Sequence, residues 1–161
     1  MPNEFEELAD EVVEDEELVL KPDFEEATDF EPVPAGEYPV KVVDVDFNVW
    51  PRGTDAEHPV KPNGEAAYPM TVFHLEIVEM PGFEHRRLVP FRAAQSGPWS
   101  GFLLSTLKAL VPGYVKGAPI RKSDLIGKLG TAIVRERMYE GEKTNDVRRI
   151  VRYRGSVNEG L

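Results

Sequence analysis

A mainly β fold, five strands with a single helix between the third and the fourth and a disordered acidic arm in front, is the architecture that this sequence predicts. Three observations predict it. Apolar residues recur at every second position in runs spread over residues 38–154, the signature of half-buried strands. A single run, from Trp99 to Leu110, switches to spacings of three and four, which mark a helix. Fourteen of the first thirty-five residues are carboxylates against one lysine, Lys21, and that repulsion opposes compaction. The resulting division is an acidic tail over residues 1–34, a folded domain over 35–155 and a short C-terminal tail over 156–161.

Within the arm, acidic runs such as Glu14-Asp15-Glu16-Glu17 alternate with small apolar groups. Phe5, Leu18, Leu20, Phe24 and Phe30 read either as docking anchors for a partner or as parts of a purely solubilising tail. Pro32, Pro34 and Gly36 punctuate the way into the domain. Strand one is predicted over Tyr38–Trp50, with Val43, Val45, Phe47 and Val49 on its core face. Residues 51–67, rich in proline, glycine and Asn63, read as a long mobile loop of the kind that often binds ligands. Strand two is predicted over Met70–Met80, ending at the Pro81-Gly82 turn, and strand three over Arg86–Ala93, returning antiparallel.

The predicted helix starts at a Ser96 or Gly97 cap, takes Pro98 in its first turn and stops at Pro112-Gly113. Its apolar face collects Trp99, Phe102, Leu103, Leu107 and Leu110, so Trp99 and Phe102 are expected to close one end of the core and are left out of the candidate site. A helical turn at Ser123–Ile126 leads to strand four, Thr131–Tyr139, then a loop at Glu140–Asn145 and strand five, Val147–Arg154. This is the element order of the OB-fold, a small five-stranded barrel with its helix between strands three and four.

Composition bounds the function. The chain carries net charge −10, yet residues 1–35 alone carry −13 and the remainder +3, with eleven Lys/Arg against five Asp/Glu between Val115 and Gly155. Exposed charges act over about 8–10 Å, so a polyanion meets the local field of the body rather than the total. Cysteine is absent, which excludes disulfides and thiolate chemistry. The acidic N-terminus holds neither a signal-like apolar run nor a membrane span, so a cytoplasmic protein without membrane contact is expected.

Groups for catalysis do not converge. His58, His74 and His85 fall in a loop, a strand and a turn without ligand-like spacing, no phosphate-binding glycine loop is present, and Ser100 lacks the nucleophile-elbow pattern. No enzyme, metal or cofactor is expected. Binding is better represented. Alternation on strand four places Arg135, Arg137 and Tyr139 on one face, and strand five supplies Arg148, Arg149, Arg152, Tyr153 and Arg154. Neighbouring strands lie about 4.8 Å apart, so the two sets are expected to merge into one basic patch. Guanidinium groups pair with phosphates and stack on bases. Trp50, beside Pro51 and Arg52, offers a ring at the mouth of the long loop, and Arg86, Arg87 and Arg92 on strand three complete the set. Tyr68 and Phe91 have both a stacking and a core reading. Arginines on an exposed strand also serve as merely solvated or paired groups, with Glu136, Glu140 and Asp146 at hand.

Four short stretches, Pro34-Ala35-Gly36-Glu37-Tyr38, Leu104-Ser105-Thr106-Leu107-Lys108-Ala109-Leu110, Ser123-Asp124-Leu125-Ile126-Gly127-Lys128 and Glu140-Gly141 followed by Asn145-Asp146-Val147, resemble phage and prophage single-stranded-DNA-binding-like proteins. The likeness spans about residues 32–154. It implies an OB-fold that coats single-stranded DNA in replication or recombination, as a homo-oligomer, in a host cytoplasm, and it supplies no catalytic residues. Better-known single-strand binders carry their acidic, partner-recruiting tail at the C-terminus, whereas here it leads the chain. Replication or recombination proteins are expected partners of residues 1–31. A second reading keeps the barrel and makes the protein an adaptor or virion component that binds through the acidic tail.

Overall fold

The computed structural model describes residues 18–23 and 32–155. The expected disorder of the acidic arm, its anchors Phe5, Phe24 and Phe30, and the C-terminal tail lie outside the described residues; Leu18–Asp23 are exposed and form no regular element. The body is one antiparallel five-stranded sheet with two short helices. Its strands are β1 (Gly36–Val49), β2 (Met70–Ile77), β3 (Phe91–Ala94), β4 (Leu129–Tyr139) and β5 (Glu142–Arg152), and its helices are α1 (Gly101–Leu110) and α2 (Lys122–Leu125).

Spatially the strands run β3-β2-β1-β4-β5. The sheet is open: β3 and β5 approach within 8 Å between Cα atoms but share no ladder among the described residues. α1 packs over this seam against β5, β3 and β4. The core joins Val40, Val42 and Val45 of β1, Phe73, Leu75 and Ile77 of β2, Phe91 of β3, Leu107 and Leu110 of α1, and Ala132, Val134, Val147 and Ile150 of the β4–β5 hairpin. Helix and sheet meet most closely at Gly130, where a Cβ would stand 2.9 Å from Ile150 Cγ2 and 3.0 Å from Leu110 Cδ2.

Several elements differ from the sequence expectation. The inward face of β1 is Tyr38, Val40 and Val42, then Val45; a bulge between Val42 and Asp44 shifts the phase, leaving Val43 only half-buried. A 14-residue strand that pairs with two neighbours bends at such a bulge, and strict alternation along it fails there. Strand three splits. Residues 85–88 follow β2 through the Glu76–Arg87 bridge and the Leu88 N–H donating to Leu75 O, and the ladder resumes only at Phe91, because Pro90 brings no donor. The loop over 51–67 is built rather than irregular. Val60 bridges Ala66, the Ala67 N–H donates to Pro59 O, and the Glu57 and His58 N–H groups donate to Asp55 Oδ1. β5 begins at Glu142, five residues earlier than expected, because Glu140 and Gly141, at φ 52° and 84°, close a two-residue turn. Positive φ at both central positions is the type I′ geometry that suits strand twist.

Candidate nucleic-acid interface

Pairing between β1 and β4 ends at Gly36 opposite Val134, but β4 and β5 continue as a two-stranded ribbon to Tyr139 opposite Glu142. In that register Arg135 faces Asp146 and Arg137 faces Thr144, so Arg135, Arg137 and Tyr139 share one face of the ribbon, as alternation predicts. This face overhangs a groove of about 910 Å³. Met70, Phe91–Ala94 and an aromatic wall of Trp50, Pro51, Tyr68, Trp99 and Phe102 also line the groove.

The aromatic wall is held by backbone geometry. Asn48, at φ 58°, donates its N–H to Gln95 Oε1 at 2.8 Å and accepts from Gln95 Nε2 at 2.9 Å, which fixes the end of β1 two residues before Trp50. Gly97, at φ 87°, lies so close under the Tyr68 ring that a Cβ would fall 2.6 Å from its Cε1, so a glycine is required there. Trp99 and Phe102 stack on each other with centroids 6.4 Å apart and 24° between planes, and they remain 67% and 49% exposed. The sequence expectation for these two is thereby corrected. α1 begins at Gly101 and buries Thr106, Leu107 and Leu110, whereas the preceding turn and the first helical turn leave both rings uncovered. The Gly97-Pro98-Trp99-Ser100-Gly101 composition carried that signal, since it is the chemistry of a turn.

Charge in the groove is predominantly positive. Lys61, Arg92, Arg135, Arg137 and Arg148 line it against a single carboxylate, Asp146. Arg135 reaches Asp146 at 3.3 Å and Lys61 reaches Glu65 at 3.9 Å. Among the described residues Arg92, Arg137 and Arg148 form no ion pair. Arg148 arrives through a bulge: pairing passes from Val134–Val147 to Ile133–Arg149, and the skipped residue lines the groove. The three-residue spacing between the buried Val147 and Ile150 is its trace in the sequence.

Of the residues singled out from the sequence, Trp50, Tyr68, Phe91, Arg92, Arg135, Arg137, Tyr139 and Arg148 meet in this groove. Arg52 stands next to it, exposed, after Pro51. The others lie apart. Arg149 and Arg152 pair with Ile133 and Gly130, toward the opposite end of the hairpin from the tip. Arg154 is bound to Glu37 at 2.8 Å, and the Tyr153 hydroxyl donates to Glu79. Arg86 covers the Phe83 ring at 5.4 Å, and Arg87 bridges Glu76 near the end of β2. The single basic patch expected from strands four and five is therefore divided in two, because the tight Glu140-Gly141 turn sets β5 arginines opposite the apolar start of β4.

Three groups outside the groove have shifted titration. The Val45 N–H, followed by Lys122 at 3.3 Å, holds the Asp44 carboxyl below the usual carboxylate range. The His58 N–H does the same for Asp55, and burial raises the Tyr38 phenol. Each histidine contacts one carboxylate, His58–Asp55, His74–Asp46 and His85–Glu76. Among the described residues no three His, Cys, Asp or Glu are placed to hold a metal, and no helix is long and apolar enough to cross a membrane. No protein-family model matches the chain, and no curated protein matches it.

Proposed function

We propose that the chain is a non-catalytic single-stranded nucleic-acid-binding protein of the phage replication and recombination type, on an OB-type barrel. The strand order, the helix between β3 and β4 and the approach of the two edge strands support the OB reading. One observation carries the function: the exposed Trp99–Phe102 stack shares a groove with arginines that have no carboxylate partner among the described residues. Rings offered to solvent take unstacked bases, each worth about 1–3 kcal/mol by alanine substitution, and guanidinium groups neutralise the phosphates. A duplex keeps its bases stacked inside and gives the rings nothing to hold, so single strands are the favoured ligand.

The test is anisotropy of labelled oligo-dT and of a matching duplex, titrated with the full chain at two salt concentrations. Preference for the single strand, weakened by salt and by Trp99→Ala, is the expected result. Equal binding to both forms, or no effect of Trp99→Ala, refutes this site.

A further inference from the structure

Past Val134 the β4–β5 ribbon loses its neighbour, since β1 pairs with β4 only from Lys41 to Gly36. A two-stranded ribbon twists more freely than a strand inside a sheet and is marginally stable by itself. Its angle to the body needs an anchor. Among the described residues, Asn145 is the only side chain from Arg135 to Asp146 that hydrogen-bonds to a residue outside the hairpin. Its carboxamide accepts from the Val33 N–H at 2.7 Å and donates to Val33 O at 2.8 Å, so it meets both polar groups of one backbone residue, as a neighbouring strand would. A carboxylate of the same shape would bring acceptors only.

Both ends of this clasp are fixed. Asn145 is buried, Val33 belongs to the core cluster, and the Tyr38 hydroxyl donates to the carbonyl of Pro34 next to it. In the register Asn145 stands opposite Glu136, between the Arg135–Asp146 and Arg137–Thr144 pairs that line the groove. Alternation turns its side chain to the reverse face of the ribbon, so the residue grips the body behind while its neighbours carry the guanidinium groups in front.

We infer that Asn145 is a positioning residue: through Val33 it holds the ribbon at the angle that keeps Arg135, Arg137 and Tyr139 in one groove with Trp50 and Trp99. As a determinant of nucleic-acid affinity this rests on the function proposed above; as the fixing of the ribbon against the aromatic wall it does not. Without the clasp the ribbon swings, and a ligand has to select the orientation in which rings and cations act together.

The chain has no cysteine and two tryptophans, both lining the groove, so a bimane dye on the single cysteine of a Tyr139→Cys chain, quenched by tryptophan at close range, reports where the ribbon stands. The experiment adds Asn145→Ala to that labelled chain, with Ile150→Ala as a control that weakens the core and leaves the clasp in place. Asn145→Ala is expected to lose quenching while Ile150→Ala, still folded, keeps it. Tyr38→Phe, which frees only the Pro34 carbonyl, is expected to lose less. In unlabelled chains, if removing the clasp leaves the ribbon in its groove-facing orientation about one-tenth of the time, Asn145→Ala binds oligo-dT about tenfold more weakly than the parent. Unchanged or stronger quenching in Asn145→Ala overturns the inference, and so does an equal loss in Ile150→Ala, which would mark general loosening. A selective loss of quenching with no oligo-dT binding by the parent chain keeps the positioning role and removes the nucleic-acid reading. Lost quenching with oligo-dT affinity unaltered overturns the role of Asn145 in binding.

Discussion

The two halves of the β4–β5 hairpin are made by the same two strands and obey different rules. Toward Leu129 and Arg152, β4 lies between β1 and β5 under α1, and its residues are mostly buried: Thr131, Ala132 and Val134 here, with Val147 and Ile150 on β5. Beyond Val134 and Val147 no third strand is present among the described residues, and every residue from Arg135 to Lys143 is exposed. Arg154, just past the embedded half, is paired with Glu37, whereas on the ribbon Arg137 has no ion-pair partner among the described residues. Side chains in the first half are constrained by the core. In the second half they are free to serve a ligand, and stability and binding are accordingly expected to separate along one hairpin.

The largest effect tests the embedded half. Ile150→Ala removes a side chain that is 1% exposed and is expected to cost about 2–5 kcal/mol in denaturant unfolding. Met138→Ala on the ribbon, 63% exposed, is expected to stay within about 0.5 kcal/mol. Equal costs would erase the distinction. Asn145→Ala probes the junction: with the Val33 N–H and C=O left unpaired, a loss of about 1–3 kcal/mol is expected, read as a lower unfolding midpoint.

Binding sharpens the contrast. Trp99→Ala is expected to weaken oligo-dT by about 1–3 kcal/mol while leaving the unfolding midpoint unchanged. Arg137→Ala should lower the slope of log K against log salt by about 0.7, the single-strand value per phosphate, and Arg154→Ala, which breaks only the Glu37 pair, should leave it unaltered. The smallest effect is one of pH. The Asp44 pKa is lowered in the folded protein, so its contribution is complete above the ordinary carboxylate range and is lost as pH falls through the depressed value. Asp44→Asn is expected to flatten that acid limb of the thermal melting curve.

Much of this division was legible in the sequence. The number and order of the five strands were legible, though the bounds of the third and fifth were not, and the alternation Arg135, Arg137, Tyr139 named one face of the ribbon before its register was known. What stayed hidden came from features that break a period. The β1 bulge moved the buried face from Val43 to Val42 and Val45. The Arg148 bulge turned an arginine into the groove that alternation alone does not place there. Register misled most: a loop expected over Glu140–Asn145 hid the tight turn, so Arg149, Arg152 and Arg154 were grouped with arginines at the other end of the hairpin. Trp99 and Phe102 were read as core because helical spacing says which residues share a face, while tertiary context says whether anything covers it.

The turn at Glu140-Gly141 has a consequence for how the chain can vary. With only two residues in the bend, a single insertion or deletion in either ribbon strand has no slack to absorb it, and every position beyond the change moves to the other side. Tyr139 and the guanidinium groups would then point away from the rings across the groove. Length changes in steps of two leave the facing side chains in place and alter only how far the ribbon extends. The groove's chemistry is thus tied to parity: only even changes in the length of the ribbon keep the facing side chains where they are.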